Sequence, residues 1–221
     1  MNSNWSRPET VAGFSRSPPN ETLLRFVESE RQRRPLTRVL DIGCGAGRNA
    51  VPLAELGLEV VGTDLSWPML LAATSRTRAI VARPQFILAP MDTLPARDRS
   101  FDLVIAQGIW NLARSGVEFR RAVREAARVS RPGAALFVFT FSRHTLPEEA
   151  EPIAGETFVF TQFSGEPQTF LEEGELIAEL AAAGFVPDAS VPLIEHNRPL
   201  KPNLQRMGGP VIYEGSFRRA P

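Results

Sequence analysis

The sequence predicts an α/β fold built on a parallel sheet, and three observations carry that reading. Strand-like and helix-like segments alternate five times between residues 38 and 141. The run from Ala134 to Phe141 is almost continuously apolar, as expected of a strand covered by helices on both faces. A glycine-rich turn joins the first of these strands to the helix after it.

The elements follow in order. Residues 1–20 are polar and carry Pro8, Pro18 and Pro19, so they read as an irregular arm or lid with Trp5 and Phe14 as anchors. Residues 21–33 have helical spacing, stopped by Pro35. Residues 38–42 are a buried strand, 43–47 a tight turn and 48–56 a helix ended by Gly57. Residues 58–62 form a second strand. Ser66 then caps a helix to about residue 81, with Pro68 in its first turn. Residues 85–88 and 101–106 are further strands, 117–129 a helix, and Arg131-Pro-Gly133 a turn before the fifth strand. Beyond Pro147 the reading gives an extra strand at 157–163, a helix at 171–183 and late strands at 191–195 and 211–217. A lid-like segment spans 143–168 and a Pro/Gly-rich loop 197–210, all within a single domain over 21–221.

Composition narrows the chemistry. The chain has 221 residues, enough to bury a large core without covalent staples. One cysteine and two histidines leave no donor set for a disulfide framework or a structural zinc site, so no metal is expected. The 25 basic and 25 acidic residues cancel, so a nucleic-acid partner is not expected. No apolar run reaches the ~20 residues of a membrane span, and the N-terminus lacks signal-peptide character; a cytoplasmic enzyme is expected. The oligomeric state stays open.

Function resides in the ends of the strands. Gly43, Gly45 and Gly47 give a G-x-G-x-G turn, where backbone bends sharply and a ligand can approach the peptides. The dinucleotide pattern G-x-G-x-x-G would need glycine at position 48, which is Arg48, so an NAD(P)-dependent oxidoreductase is disfavoured. Asp64 closes the second strand about twenty residues on, where a carboxylate can take both ribose hydroxyls. Met91 and Asp92 follow the third strand and Gln107 ends the fourth. All stand at carboxyl ends of parallel strands, the ligand edge of open α/β sheets.

Together, Asp41-Ile-Gly-Cys-Gly-Ala-Gly47, Asp64-Leu-Ser66, Met91-Asp92, the strand 101–107, Arg131-Pro-Gly133 and the stretch 170–185 resemble the class I S-adenosylmethionine-dependent methyltransferases. The resemblance implies a three-layer Rossmann-like fold with a seven-stranded sheet in the order 3-2-1-4-5-7-6, the last strand antiparallel. It implies S-adenosylmethionine as cofactor. Asp41 would orient the methionine end, and Gly43, Cys44 and Gly45 would form the wall it approaches. Asp64 would hold the ribose, Leu65 and Met91 would flank the adenine, and Asp92 would bond its amino group. Gln107 would offer a backbone carbonyl to the methionine ammonium. Cys44 reads as a small buried residue rather than a nucleophile, and Arg48 as either a helix-start surface residue or a cofactor contact.

The acceptor side is less defined. Many small-molecule members of the family carry a histidine after the fourth strand; this chain has Ile109-Trp-Asn-Leu112 instead. Trp110, Asn111, His144 and Arg16 are the candidate substrate residues, with no catalytic residue assigned. Trp5, Phe14, Phe158, Phe160 and Phe163, with Arg143, His144 and Arg198 as polar points, would line a partly enclosed pocket suited to a small organic acceptor. A non-catalytic module of the same fold, one that binds cofactor or serves as a partner-interaction module, is the alternative.

Overall fold

The computed structural model describes residues 4–81, 83–198 and 209–221. Five parallel strands form its centre: β1 (Arg38–Ile42), β2 (Glu59–Asp64), β3 (Gln85–Leu88), β4 (Phe101–Gln107) and β5 (Ser130–Phe141). Two short strands, β6 (Val159–Phe160) and β7 (Gln168–Thr169), make a separate antiparallel pair. The main sheet is completed by β8 (Phe185–Pro187), β9 (Ile194–His196) and β10 (Ile212–Arg219).

The order is β3-β2-β1-β4-β5-β10-β8, with β10 antiparallel to both neighbours. This reproduces the expected 3-2-1-4-5-7-6 arrangement, with β8 and β10 in the sixth and seventh roles. The sheet has one strand more than expected. β8 pairs only with residues 217–219 of β10, and β9 takes over along residues 212–214. The sequence reading missed β8, and it placed β9 a few residues early.

The described residues form six α-helices: α1 (Pro8–Arg16), α2 (Glu21–Arg33), α3 (Ala50–Glu55), α4 (Trp67–Arg76), α5 (Gly116–Val129) and α6 (Glu173–Ala182). Asn20, Ser66 and Ser115 cap α2, α4 and α5 by accepting N–H bonds from Leu23, Met69 and Glu118. α4 stops at Arg76, short of the expected residue 81, where Thr77 turns its hydroxyl back onto the Ala73 carbonyl.

Neighbouring residues of each strand serve opposite layers. Val39, Leu103, Ile105 and Phe137 pack under Leu23, Phe26 and Leu53 of α2 and α3. Leu40, Val104, Leu136 and Phe217 pack with Phe119 and Val123 of α5 and Leu176 of α6. Burial on both faces explains the unbroken apolar runs, each such side chain contributing about 1.5–3 kcal/mol.

Three expectations are corrected. Arg131-Pro-Gly133 is no turn; it lies inside β5 as an irregularity where the β4–β5 register shifts, with Gly133 at φ +76°. The arm is not irregular. Residues 8–16 form α1, with Pro8 in the first turn and Glu9 close behind. The extra strand at 157–163 shrinks to the two residues of β6. Most of the loop 197–210 lies outside the described residues.

Candidate active site

The loop after β1 is shaped by its glycines. Gly43 has φ +69°, and a Cβ there would lie 2.7 Å from the side chain of Ile109 beyond β4. Gly45 has φ +51° and lies under Phe14 of α1, whose ring is 3.7 Å from where a Cβ would sit. Residues 44–47 are buried, and the Cys44 and Gly45 N–H groups donate to the end of β2, to the Thr63 carbonyl and the Asp64 carboxylate. Cys44 turns inward. Its Sγ packs on Gly62, and burial pushes its thiol pKa well above the usual value, as expected of an inert residue.

Asp64 ties this loop to β2. Its carboxylate accepts the N–H of Gly45 at 2.9 Å and that of Ser66 at 2.8 Å. Burial raises its pKa, and the hydrogen bonds from Ser66 and Gly45 oppose the rise. Each oxygen keeps a further lone pair for a ligand hydroxyl. Leu65, next to it, is 71% exposed, so its apolar surface is not used by the protein's own packing.

Asp41 lies at the end of β1, almost fully buried, and its carboxylate accepts no hydrogen bond among the described residues. Burial pushes its pKa up to about 7; Arg48 pulls it down and Asp64 pushes it further up. A buried acid without a partner calls for a cation. An adenosyl ligand with a zwitterionic amino-acid end would meet these groups, with ribose on Asp64, adenine beside Leu65 and the ammonium near Asp41. The residues present therefore fit S-adenosylmethionine.

Other expected cofactor residues are already engaged. Met91 is buried in the core below β3. Asp92 pairs with Arg121 at 3.0 Å. The Gln107 side-chain oxygen accepts a hydrogen bond from Asn49 at 2.8 Å, which ties that side chain to the start of α3.

The expected acceptor residues are not brought together. Trp110 is fully buried against Phe119, with ring centroids 6.2 Å apart, so it packs the core instead of lining a pocket. Asn111 is buried beside it, and its Oδ1 has no hydrogen-bond partner among the described residues. Phe158 and Phe160 are also core residues, whereas Phe163 is 45% exposed. Arg16 is exposed at the end of α1. His144 follows β5 and is held by Glu195, Nδ1 to Oε1 at 2.6 Å, with Arg198 3.1 Å from its Nε2. Ser142 also donates to Glu195. Two further polar residues, Asn49 and Glu214, went unsingled in the sequence because neither belongs to a motif. They join the cofactor side through Asn20, which donates its N–H to Asn49 at 3.0 Å and its side-chain amide to Glu214 at 2.6 Å.

Comparison with known proteins agrees with this geometry. Residues 40–138 match the family model described as a methyltransferase domain. The chain is 31% identical over 179 residues to a demethylmenaquinone methyltransferase of Thermus thermophilus, covering 73% of this chain and 79% of that protein. It is 38% identical over 154 residues to a demethylmenaquinone methyltransferase of Renibacterium salmoninarum, covering 63% of this chain and 62% of that protein. It thus spans less than two thirds of the length of the Renibacterium relative. The crystal structure of a SAM-dependent methyltransferase from Methanosarcina mazei has the same fold, with a TM-score of 0.70 at 21% identity, covering 92% of this chain and 99% of that one. This chain belongs to the class I S-adenosylmethionine-dependent methyltransferases.

Proposed function

We propose that the protein transfers a methyl group from S-adenosylmethionine to a small organic acceptor. The observation that carries this reading is the pairing of Asp64, bonded to the glycine loop, with the buried and unbonded Asp41. The chemistry supplied with the cofactor is a methyl carbon on a sulfonium, a leaving group that needs no further activation. The tasks left to the chain are to bind, to align and to exclude water. Asp64, braced by the Gly45 N–H, holds the ribose, Asp41 faces the ammonium of the amino-acid end, and Phe14 roofs the loop.

A small acceptor is favoured by three things. The relatives compared above are named for demethylmenaquinone, a small molecule. The protein's net charge is zero, which gives little attraction to polyanions. α1 lies over the glycine loop and narrows the approach. No helix among the described residues is long and apolar enough to cross a membrane. The cytoplasm is the compartment that goes with this reading.

The test is calorimetry with S-adenosylhomocysteine, followed by methyl transfer to a panel of phenols, quinols, amines and carboxylic acids. Tight product binding with transfer to one class supports the proposal. Tight binding with no transfer to any class would turn the reading toward a cofactor-binding module. Absence of binding would defeat it.

A further inference from the structure

One cation beside the candidate site is not used by the protein's own structure. Arg48 follows the glycine loop and is partly buried, yet it makes no hydrogen bond and no close ion pair among the described residues. Two of its polar neighbours, Asn49 and Glu214, already have hydrogen-bond partners. Asn49 bonds Gln107 and Asn20, and Asn20 bonds Glu214. These bonds draw the start of α3, the end of β4, the start of β10 and the N-terminal segment to one point.

The sheet register places the charges. Asp41 pairs with Ile105, two residues before Gln107, so both side chains leave the same face. Phe139 stands between Gln107 and Glu214 in the adjoining ladders, which puts Glu214 on that face too. Arg48 feels both acids, Asp41 and Glu214. Asp41 has no hydrogen bond among the described residues, and the second oxygen of Glu214 has His196 Nε2 at 4.0 Å. Among the described residues, a guanidinium without a hydrogen-bond partner therefore stands near a carboxylate without one. A polyanion such as a pyrophosphate would face these acids, whereas a zwitterionic α-amino acid is matched at both ends.

We propose that Arg48 binds the α-carboxylate at the amino-acid end of the cofactor, with Asp41 facing the α-ammonium of the same end. This rests on the cofactor reading above. It makes Arg48 the residue that distinguishes the whole cofactor from its nucleoside part.

The experiment compares two ligands that share adenosine and a thioether. S-adenosylhomocysteine carries the amino-acid end and 5′-methylthioadenosine lacks it. Binding is measured by calorimetry on the wild type, Arg48→Met and Arg48→Lys. Arg48→Met is expected to weaken S-adenosylhomocysteine about tenfold or more, the scale of one charge-assisted hydrogen bond, and to leave methylthioadenosine unchanged. Arg48→Lys should recover part of the loss, having the charge without the fork. Equal losses on both ligands would mean that Arg48 only shapes the loop, and no loss on either would mean that it is not in the site; both overturn the proposal. If neither variant folds, decarboxylated S-adenosylhomocysteine on the wild type decides: affinity equal to that of the full ligand overturns it. A wild type that binds no S-adenosylhomocysteine fails the cofactor reading itself, which is seen before any variant is examined.

Discussion

The carboxylate of Asp64 accepts the backbone N–H of Gly45 at 2.9 Å, so the acid at the end of β2 and the loop after β1 form one hydrogen-bonded unit. The link has a functional cost when it is cut. Asp64→Ala would remove the proposed acceptor for ribose hydroxyls and free the Gly45 N–H together. We expect S-adenosylhomocysteine binding to weaken by about 1.5–3 kcal/mol, the worth of a hydrogen bond to a charged group. Asp64→Asn should lose less, since an amide oxygen can still accept. Calorimetry showing wild-type affinity in Asp64→Ala would remove Asp64 from the ribose site.

Asp41 should make both stability and binding depend on pH. Its folded-state pKa, about 7, lies above the unfolded carboxyl value near 3.8, because burial disfavours the charged form. Between these values the folded protein holds the proton more tightly than the unfolded chain. This contribution to stability is therefore complete below about pH 4, declines as pH rises toward 7, and is lost above it. Asp41→Asn should flatten that slope in urea unfolding between pH 5 and pH 8. A ligand ammonium favours the ionised acid, so S-adenosylhomocysteine binding near pH 6.5 should release a proton. Calorimetry in buffers of different ionisation enthalpy reads it, and the mutant should release none from this site.

The buried end of α2 gives a prediction about stability alone. Glu30 is fully buried and receives Arg218 from β10 at 2.7 Å, and Arg218 is also bonded to Asp188. Glu30→Ala would leave a mostly buried guanidinium short of an acid, a change that costs about 3–5 kcal/mol in comparable settings. The exposed pair Arg25–Glu21 on the same helix is the control, and Arg25→Ala should leave the unfolding midpoint almost unmoved. Equal effects of the two substitutions in thermal unfolding would refute the argument.

The parts of the molecule that sequence makes visible are those fixed by short-range rules. β1, the glycine turn, Asp64 and the Ser66 cap each depend on a few adjacent residues, and all appear where their chemistry puts them. β8 was invisible because three residues ending in Pro187 carry no periodicity of their own; its partners on β10 lie thirty residues on. Trp110 follows β4 as a pocket residue would, and only the packing of Phe119 from α5 shows that its ring goes into the core. Glu214 likewise joins the site through Asn20, far away in sequence, so no local pattern could announce it. α1 was readable in principle, from Pro8 and Glu9 at its start, but the prolines at 18 and 19 masked it.

α1 itself carries the last prediction. Its Phe14 ring covers Gly45 and meets Trp5 edge-on, with centroids 5.6 Å apart. Four hydrogen bonds hold the segment to α4 and its cap: Ser66 donates to the Trp5 carbonyl and shares a hydrogen bond with the Ser6 hydroxyl, and Arg76 donates to the carbonyls of Ser15 and Ser17. None of the side chains of α1 is fully buried, so the helix is anchored by few contacts and can open at modest cost. Cofactor entering between the glycine loop and this helix must displace Phe14 or slide beneath it. Phe14→Ala should speed the release of S-adenosylhomocysteine several-fold, because an aromatic pair is worth about 0.5–1.5 kcal/mol. The association rate should change less, and thermal stability should hold, since the core layers lie elsewhere. Stopped-flow displacement measures the release. A release rate equal to the wild type's would show that the helix lies beside the cofactor's path and not across it.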